Sequence, residues 1–335
     1  MLKTRIPLLI VLAFLLNGMI GCGPKEEKSA PKQLEKITIA VTPWPASAPI
    51  YVAHEKGYFR DEGLDATLHS YISGHLGLDA VLSGKVDLAT AGETPIARAV
   101  IDGKPVAVVA TISEIGRAIR IIARRDRAIL RPKDLRGKKI GLVRGTTADF
   151  FLHTYLAVAY IDPKDVRVVN VATDKLVDAL LKGEVDAVST WSPFTLVLLE
   201  RLGSNAVILD QPNFYIMTWN ITVTQQSAKN SPERIKKFLR AIVRANSFVK
   251  ENPGEARTIS AKHIGTDSPL YEREWPDYDF TAKLGQSLIL NLEDQARWMI
   301  NEEVGSARIP PDFMDFIYTD ALEAVRPGAV TIAGR

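Results

Sequence analysis

Apolar and polar positions along this chain switch repeatedly between a two-residue and a 3.6-residue period, so strands and helices alternate. Residues 37–41 form an apolar run that predicts a buried strand, and 43–49 a Pro-rich loop. Residues 50–56 predict a helix that Gly57 stops, and 64–69 alternate as a strand. Ser73 stands where a helix N-cap belongs, ahead of the apolar stripe at 76–82. Residues 86–91 predict a strand, 94–101 a helix ended at Gly103, and 106–112 and 119–123 two further strands. The pattern then restarts. A strand at 139–143 leads to Thr146 or Thr147 as the cap of a helix at 148–160, with Pro163 beyond its end. Strand, helix and strand follow at 166–171, 175–181 and 185–189, and strand-like runs at 206–209 and 215–223. From Ser231 onward the period is helical. The box Ser231-Pro-Glu-Arg is expected to open a helix running to about Lys250, which Asn252-Pro-Gly254 ends.

The restart is a repeat. Asp79-Ala-Val-Leu-Ser-Gly84-Lys-Val-Asp87-Leu-Ala-Thr90 returns 99 residues later as Asp178-Ala-Leu-Leu-Lys-Gly183-Glu-Val-Asp186-Ala-Val-Ser189. Each copy reads as a helix end, a Gly stop and a buried strand. The chain is therefore expected to form two similar α/β lobes that aim strand-end loops at a shared crevice, where α/β sheets bind ligands. The helices after Ser231 are expected to return to the first sheet. That makes lobe 1 discontinuous (35–125 and 221–335) around lobe 2 (126–220), with two crossing segments near 126–131 and 215–221 acting as a hinge.

The N-terminus changes the picture. Lys3 and Arg5 precede an apolar run at 6–16, followed by Asn17-Gly-Met-Ile-Gly21-Cys22. This has the form of a signal peptide (1–21) and is too short for a membrane span of about 20 residues. Cys22 is the sole cysteine, so it has no internal disulfide partner. The polar stretch 22–34 reads as a tether. The arrangement resembles the lipobox of bacterial lipoproteins, with Met19 where Leu is usual, and implies acylation at Cys22 and a lipid anchor in the cell envelope. Removing the segment lowers the net charge from +3 to +1, so the basic balance gives no argument for nucleic acid.

Further along, Ile50-Tyr-Val-Ala-His-Glu-Lys-Gly-Tyr-Phe59 with Glu62-Gly-Leu64 resembles the opening of ABC-importer solute-binding proteins. The similar branch handles nitrate, sulfonate, taurine, bicarbonate and thiamine-precursor pyrimidines. Leu82-Ser-Gly-Lys-Val-Asp87, Asp134-Leu-Arg-Gly-Lys-Lys139 and Trp191-Ser-Pro-Phe194 match further landmarks. The resemblance runs from about Ile37 to the C-terminus. It implies a type II periplasmic-binding-protein fold, a cleft ligand and an ABC permease as partner. The chain is further expected to work with the permease's ATPase, as a monomer, and without cofactor or metal.

Candidate contacts follow from this. Ser73 and Gly74 match the family position where a helix N-terminus meets the ligand: Gly lets an anion reach the backbone and Ser adds a hydroxyl donor. His75 shares that turn. Ala91-Gly-Glu-Thr-Pro95 resembles the Gly-Asp-Thr-Pro loop of aliphatic-sulfonate binders, which nominates Glu93 and Thr94. Gly145, Thr146 and Thr147 form the equivalent turn of lobe 2. Trp44, Trp191 with Ser192, and Trp219 with Asn220 lie in loops expected to face the crevice. Arg117, and beside it Arg120, are candidate sources of positive charge. The helix N-termini favour an oxyanion, and the indoles with Glu93 an aromatic or amine-bearing molecule. An organosulfonate fits both, ahead of a thiamine-related pyrimidine and of nitrate. An enzyme or a sensor on the same scaffold is the rival class. Motifs for enzymes are lacking: there is no Walker loop, no Gly-x-Ser-x-Gly elbow, and no second His beside His54-Glu55 in the sequence.

Overall fold

The computed structural model describes residues 33–209, 215–267, 269–303 and 305–333. The signal segment, Cys22 and nearly all of the tether lie outside them. Four strands come first: β1 (Glu35–Val41), β2 (Leu64–Ser70), β3 (Leu88–Ala91) and β4 (Val106–Ile115). Five follow: β5 (Ile119–Arg124), β6 (Lys139–Leu142), β7 (Arg167–Asn170), β8 (Ala187–Trp191) and β9 (Ala206–Ile208). The last three are β10 (Met217–Thr224), β11 (Tyr278–Gly285) and β12 (Val330–Thr331). They assemble into a seven-stranded sheet, β12-β11-β4-β10-β3-β1-β2, and a five-stranded sheet, β7-β6-β8-β5-β9. The central β4, Val-Ala-Val-Val-Ala-Thr-Ile-Ser at its start, is buried without a break through Ser113, as a strand covered on both faces must be.

The repeat is visible in the hydrogen bonding. In the first sheet β1 pairs in parallel with β2 and β3, and β10 lies antiparallel beside β3. In the second sheet β6 pairs in parallel with β7 and β8, and β5 lies antiparallel beside β8. Each lobe thus takes its antiparallel strand from the crossing chain. The matched aspartates do matched work. Asp87 Oδ2 accepts the Thr38 backbone N–H at 2.8 Å, and Asp186 Oδ2 accepts that of Lys139 at 2.9 Å. Gly84 and Gly183, at φ of 72° and 75°, take the left-handed turn that ends each preceding helix.

The crossings sit elsewhere than expected. β5 belongs to the second sheet, so the outbound chain crosses at 116–118, not at 126–131. β10 belongs to the first sheet from Met217, so the 220/221 boundary falls inside a strand. Charge-bearing segments looked like a linker, but the pairing of Ile119–Ala123 with β8 decides the lobe.

The C-terminal helices do return to the first lobe. The helix Pro232–Glu251 lays Phe238 on Phe59, with ring centroids 5.4 Å apart. Its Arg234 and Arg240 pair with Asp87 and Glu62. Ser231 makes no capping bond through its side chain, and with Arg234 at the third helical position the box also lacks the acid for its reciprocal bond. Among the described residues no helix is long and apolar enough to cross a membrane.

Candidate functional site

Between the two sheets lies a cleft whose wall comes from strand ends and helix starts of both lobes. Its lining combines Trp44, Ser73, Gly74, His75, Gly92 and Trp219 from lobe 1 with Thr146, Thr147 and Trp191 from lobe 2. Eight of the expected contacts are therefore brought together: Trp44, Ser73, Gly74, His75, Thr146, Thr147, Trp191 and Trp219. The cleft holds about 370 Å³ of empty space.

Two helix starts meet there. Ser73 is the N-cap residue of the helix Gly74–Leu82, and Thr146 that of the helix Thr147–Val158. Neither uses its side chain to cap. Ser73 Oγ pairs with His75 Nδ1 at 2.9 Å, and Thr146 Oγ1 donates to the Val143 carbonyl at 2.7 Å. Both first turns are left without a side-chain cap, in the arrangement that receives oxyanions. Burial holds the His75 imidazole below its ordinary pKa, so the ring is neutral at neutral pH. No ionised side chain is then among the lining residues. Any negative charge would rest on backbone N–H groups and hydroxyls.

The aromatic wall is built in pairs. Trp44 meets Trp219 edge-on with centroids 4.8 Å apart, and Trp219 Nε1–H donates to Ser47 Oγ at 3.0 Å. Trp191 stands beside Ile119 across the β5–β8 ladder. Ile119, Met217, Gly92 and Pro95 complete the lining and were not singled out from the sequence. Met217 was legible: it lies two residues from Trp219 in one strand, hence on the same face.

The remaining candidates have other employment. Asn220 points away from Trp219, as its neighbour in a strand must. Its Oδ1 accepts from Thr111 Oγ1 at 2.7 Å, and its Nδ2 donates to Thr218 Oγ1 at 2.9 Å. Arg117 is largely exposed and lies 4.0 Å from Asp277, which also pairs with Arg120 at 3.0 Å, so neither guanidinium charges the cleft. Gly145, at φ 73°, donates its N–H to Asp149 Oδ2 and lines an adjacent hollow with Arg98 and Arg144. Thr94 Oγ1 bonds Gln295 and, at 3.2 Å, Thr147 Oγ1 of the other lobe. Ser192 Oγ donates to Glu274 of lobe 1, and Thr195 Oγ1 reaches the same carboxylate at 3.3 Å. Burial raises the Glu274 pKa. These bonds latch the lobes on two sides of the cleft.

Glu93 is the largest departure. It is fully buried and does not line the cleft. Its carboxylate accepts from the Thr218 backbone N–H, from Tyr215 Oη at 2.9 Å and from Asn291 Nδ2 at 3.0 Å. It ties the return crossing to the first lobe. Burial pushes its pKa up in spite of these donors. A raised carboxyl pKa contributes stability that is full below the unfolded-state value near 4.3 and is lost as pH rises through the folded value. Glu93→Gln is expected to unfold at an advantage that falls, relative to the native chain, toward pH 4. Denaturation midpoints of both chains across pH 4–8 check this, and parallel pH profiles would refute it.

Two α/β lobes joined by two crossing segments, with a cleft between their strand ends, define the type II periplasmic-binding-protein architecture. The alkanesulfonate-binding protein of Xanthomonas axonopodis pv. citri, solved bound to MOPS, superposes with a TM-score of 0.74 at 18% identity over 87% of this chain and 99% of that one. The chain belongs to the NMT1/THI5 like family, whose model matches residues 44–256. It is 27% identical over 275 residues to a Bacillus subtilis protein provisionally named an aliphatic sulfonates-binding protein, covering 79% of this chain and 80% of that one. It is 29% identical over 252 residues to a Haemophilus influenzae protein provisionally named for thiamine biosynthesis, covering 72% and 79%.

Proposed function

We propose that this chain is the extracytoplasmic solute-binding receptor of an ABC importer, anchored through an acylated Cys22. Its ligand is a small organic anion with a sulfonate-like head, held in the interlobe cleft. One observation carries the reading: two helix starts without side-chain caps, one from each lobe, converge on a cleft with indole walls and no ionised side chain. An oxyanion head suits the N–H groups, and an organic tail suits Trp44, Trp191 and Trp219. Relatives named for sulfonate binding support the same choice.

The test is a thermal-shift screen of taurine, alkanesulfonates, thiamine-related pyrimidines and nitrate. A ligand at about 100 times its Kd stabilises the fold by about 2.7 kcal/mol. Alkanesulfonates are expected to raise Tm most. Stabilisation by pyrimidines alone would transfer the ligand assignment to the thiamine-related branch, which the second relative represents. The intact mass of the protein from the membrane fraction reads the anchor: a chain still beginning at Met1 contradicts it.

A further inference from the structure

Outside the cleft, the fold gathers three metal-ligating side chains that the sequence keeps far apart. His54 and Glu55 end the helix Ala48–Glu55, and His263 lies in the last turn of the helix Pro253–Ile264. Glu55 and His263 are 208 positions apart in the chain, yet His263 Nε2 stands 2.9 Å from Glu55 Oε1. One atom from each of the three lies within 4.8 Å of the others. Zinc bonds of about 2.0–2.1 Å in a tetrahedral array place ligand atoms about 3.3 Å apart. Rotation of half-exposed and exposed side chains covers that difference.

The surroundings suit a cation that keeps an open position. Tyr51 stacks on His263 at 4.5 Å with planes 7° apart and so fixes the plane of that imidazole. A hollow lined by His54, Glu55, Arg60, Asp65 and Ala66 lies beside two of the three groups and leaves room for water or a fourth ligand. Two cations stand near: Arg60 lines the same hollow, and Lys262 Nζ lies 3.4 Å from Glu55 Oε1. The Lys262 side chain is 72% exposed and swings into solvent without loss of packing.

We propose that His54, Glu55 and His263 form a zinc site that clasps the helix Pro253–Ile264 to the helix Ala48–Glu55. Two imidazoles and one carboxylate with an open fourth position match zinc's preferences. The site stands apart from the solute cleft and does not depend on the ligand assigned there.

The full-length chain, stripped with a chelator, is titrated with zinc chloride by calorimetry and followed by thermal denaturation. One equivalent per chain and a rise in Tm are expected. His54→Gln and His263→Gln are each expected to weaken zinc at least tenfold. Circular dichroism checks their folding. His54 is exposed, so its variant stays testable if loss of the Tyr51 stack unfolds the other. A wild-type Tm that zinc does not move overturns the proposal. So does a zinc affinity equal in the wild type and the folded variants, since the ion would then sit elsewhere.

Discussion

Gly74→Val is expected to abolish organosulfonate binding while the chain stays folded. Gly74 is the first residue of a helix whose start faces the cleft. A Cβ there would stand 2.9 Å from the Trp219 ring, 3.1 Å from the Ala91 Cα and 3.3 Å from the Thr90 carbonyl. The ring has some freedom and the two backbone atoms of β3 have none, so the helix start must retreat. Overpacking of this kind costs about 1–3 kcal/mol of stability. The loss in binding is larger, because the valine also occupies the space where an anion would meet the N–H groups. A fall in affinity of at least about 100-fold, or about 2.7 kcal/mol, is expected in a calorimetric titration. Near-native affinity would remove this helix start from the site.

Trp219→Ala is expected to cost about 3–5 kcal/mol of stability, the range for emptying a large buried aromatic position. Trp219 is 3% exposed and joins the cleft wall to the core. Its loss strips Trp44 of one of its two edge-on partners, leaving Tyr278, and Ser47 Oγ of the indole donor. Urea denaturation measures the cost. A change below about 1 kcal/mol would mean that Trp44 and Met217 collapse into the space, and that the wall is more plastic than its packing suggests.

What the sequence disclosed and what it hid divide along a physical line. Local pattern marked the strands, their Gly stops and the helix starts, because period and turn chemistry act over a few residues. The 99-residue repeat then placed both sets of loops at one crevice, which is why Ser73, Gly74, Thr146 and the three tryptophans converge there. Polar residues in the same loops were ambiguous, since their roles depend on distant partners. Glu93 is engaged by Tyr215 and Asn291, 122 and 198 positions away. Ser192 meets Glu274 across the lobes, 82 positions on. Asn220 was separable from Trp219 by strand alternation alone. The crossing at 116–118 was hidden because β5 looks the same whichever sheet receives it. His263 next to Glu55 could not be foreseen from a motif that needs both histidines on one helix.

The interleaving of the lobes also sets an order of assembly. Lobe 2 is one uninterrupted stretch from β5 to β9, and every strand pair in its sheet forms within it. Lobe 1 is split. Among the described residues its central β4 pairs with β10 and β11, which begin at Met217 and Tyr278, and by one bridge with Ile317. A chain that emerges N-terminus first therefore completes lobe 2 while β4, buried from Val106 through Ser113 in the finished fold, still has neither neighbour. Such unpaired strand edges are the sticky species that holding chaperones recognise. The same connectivity that gives the receptor two crossings leaves β4, made early, among the last strands to be protected.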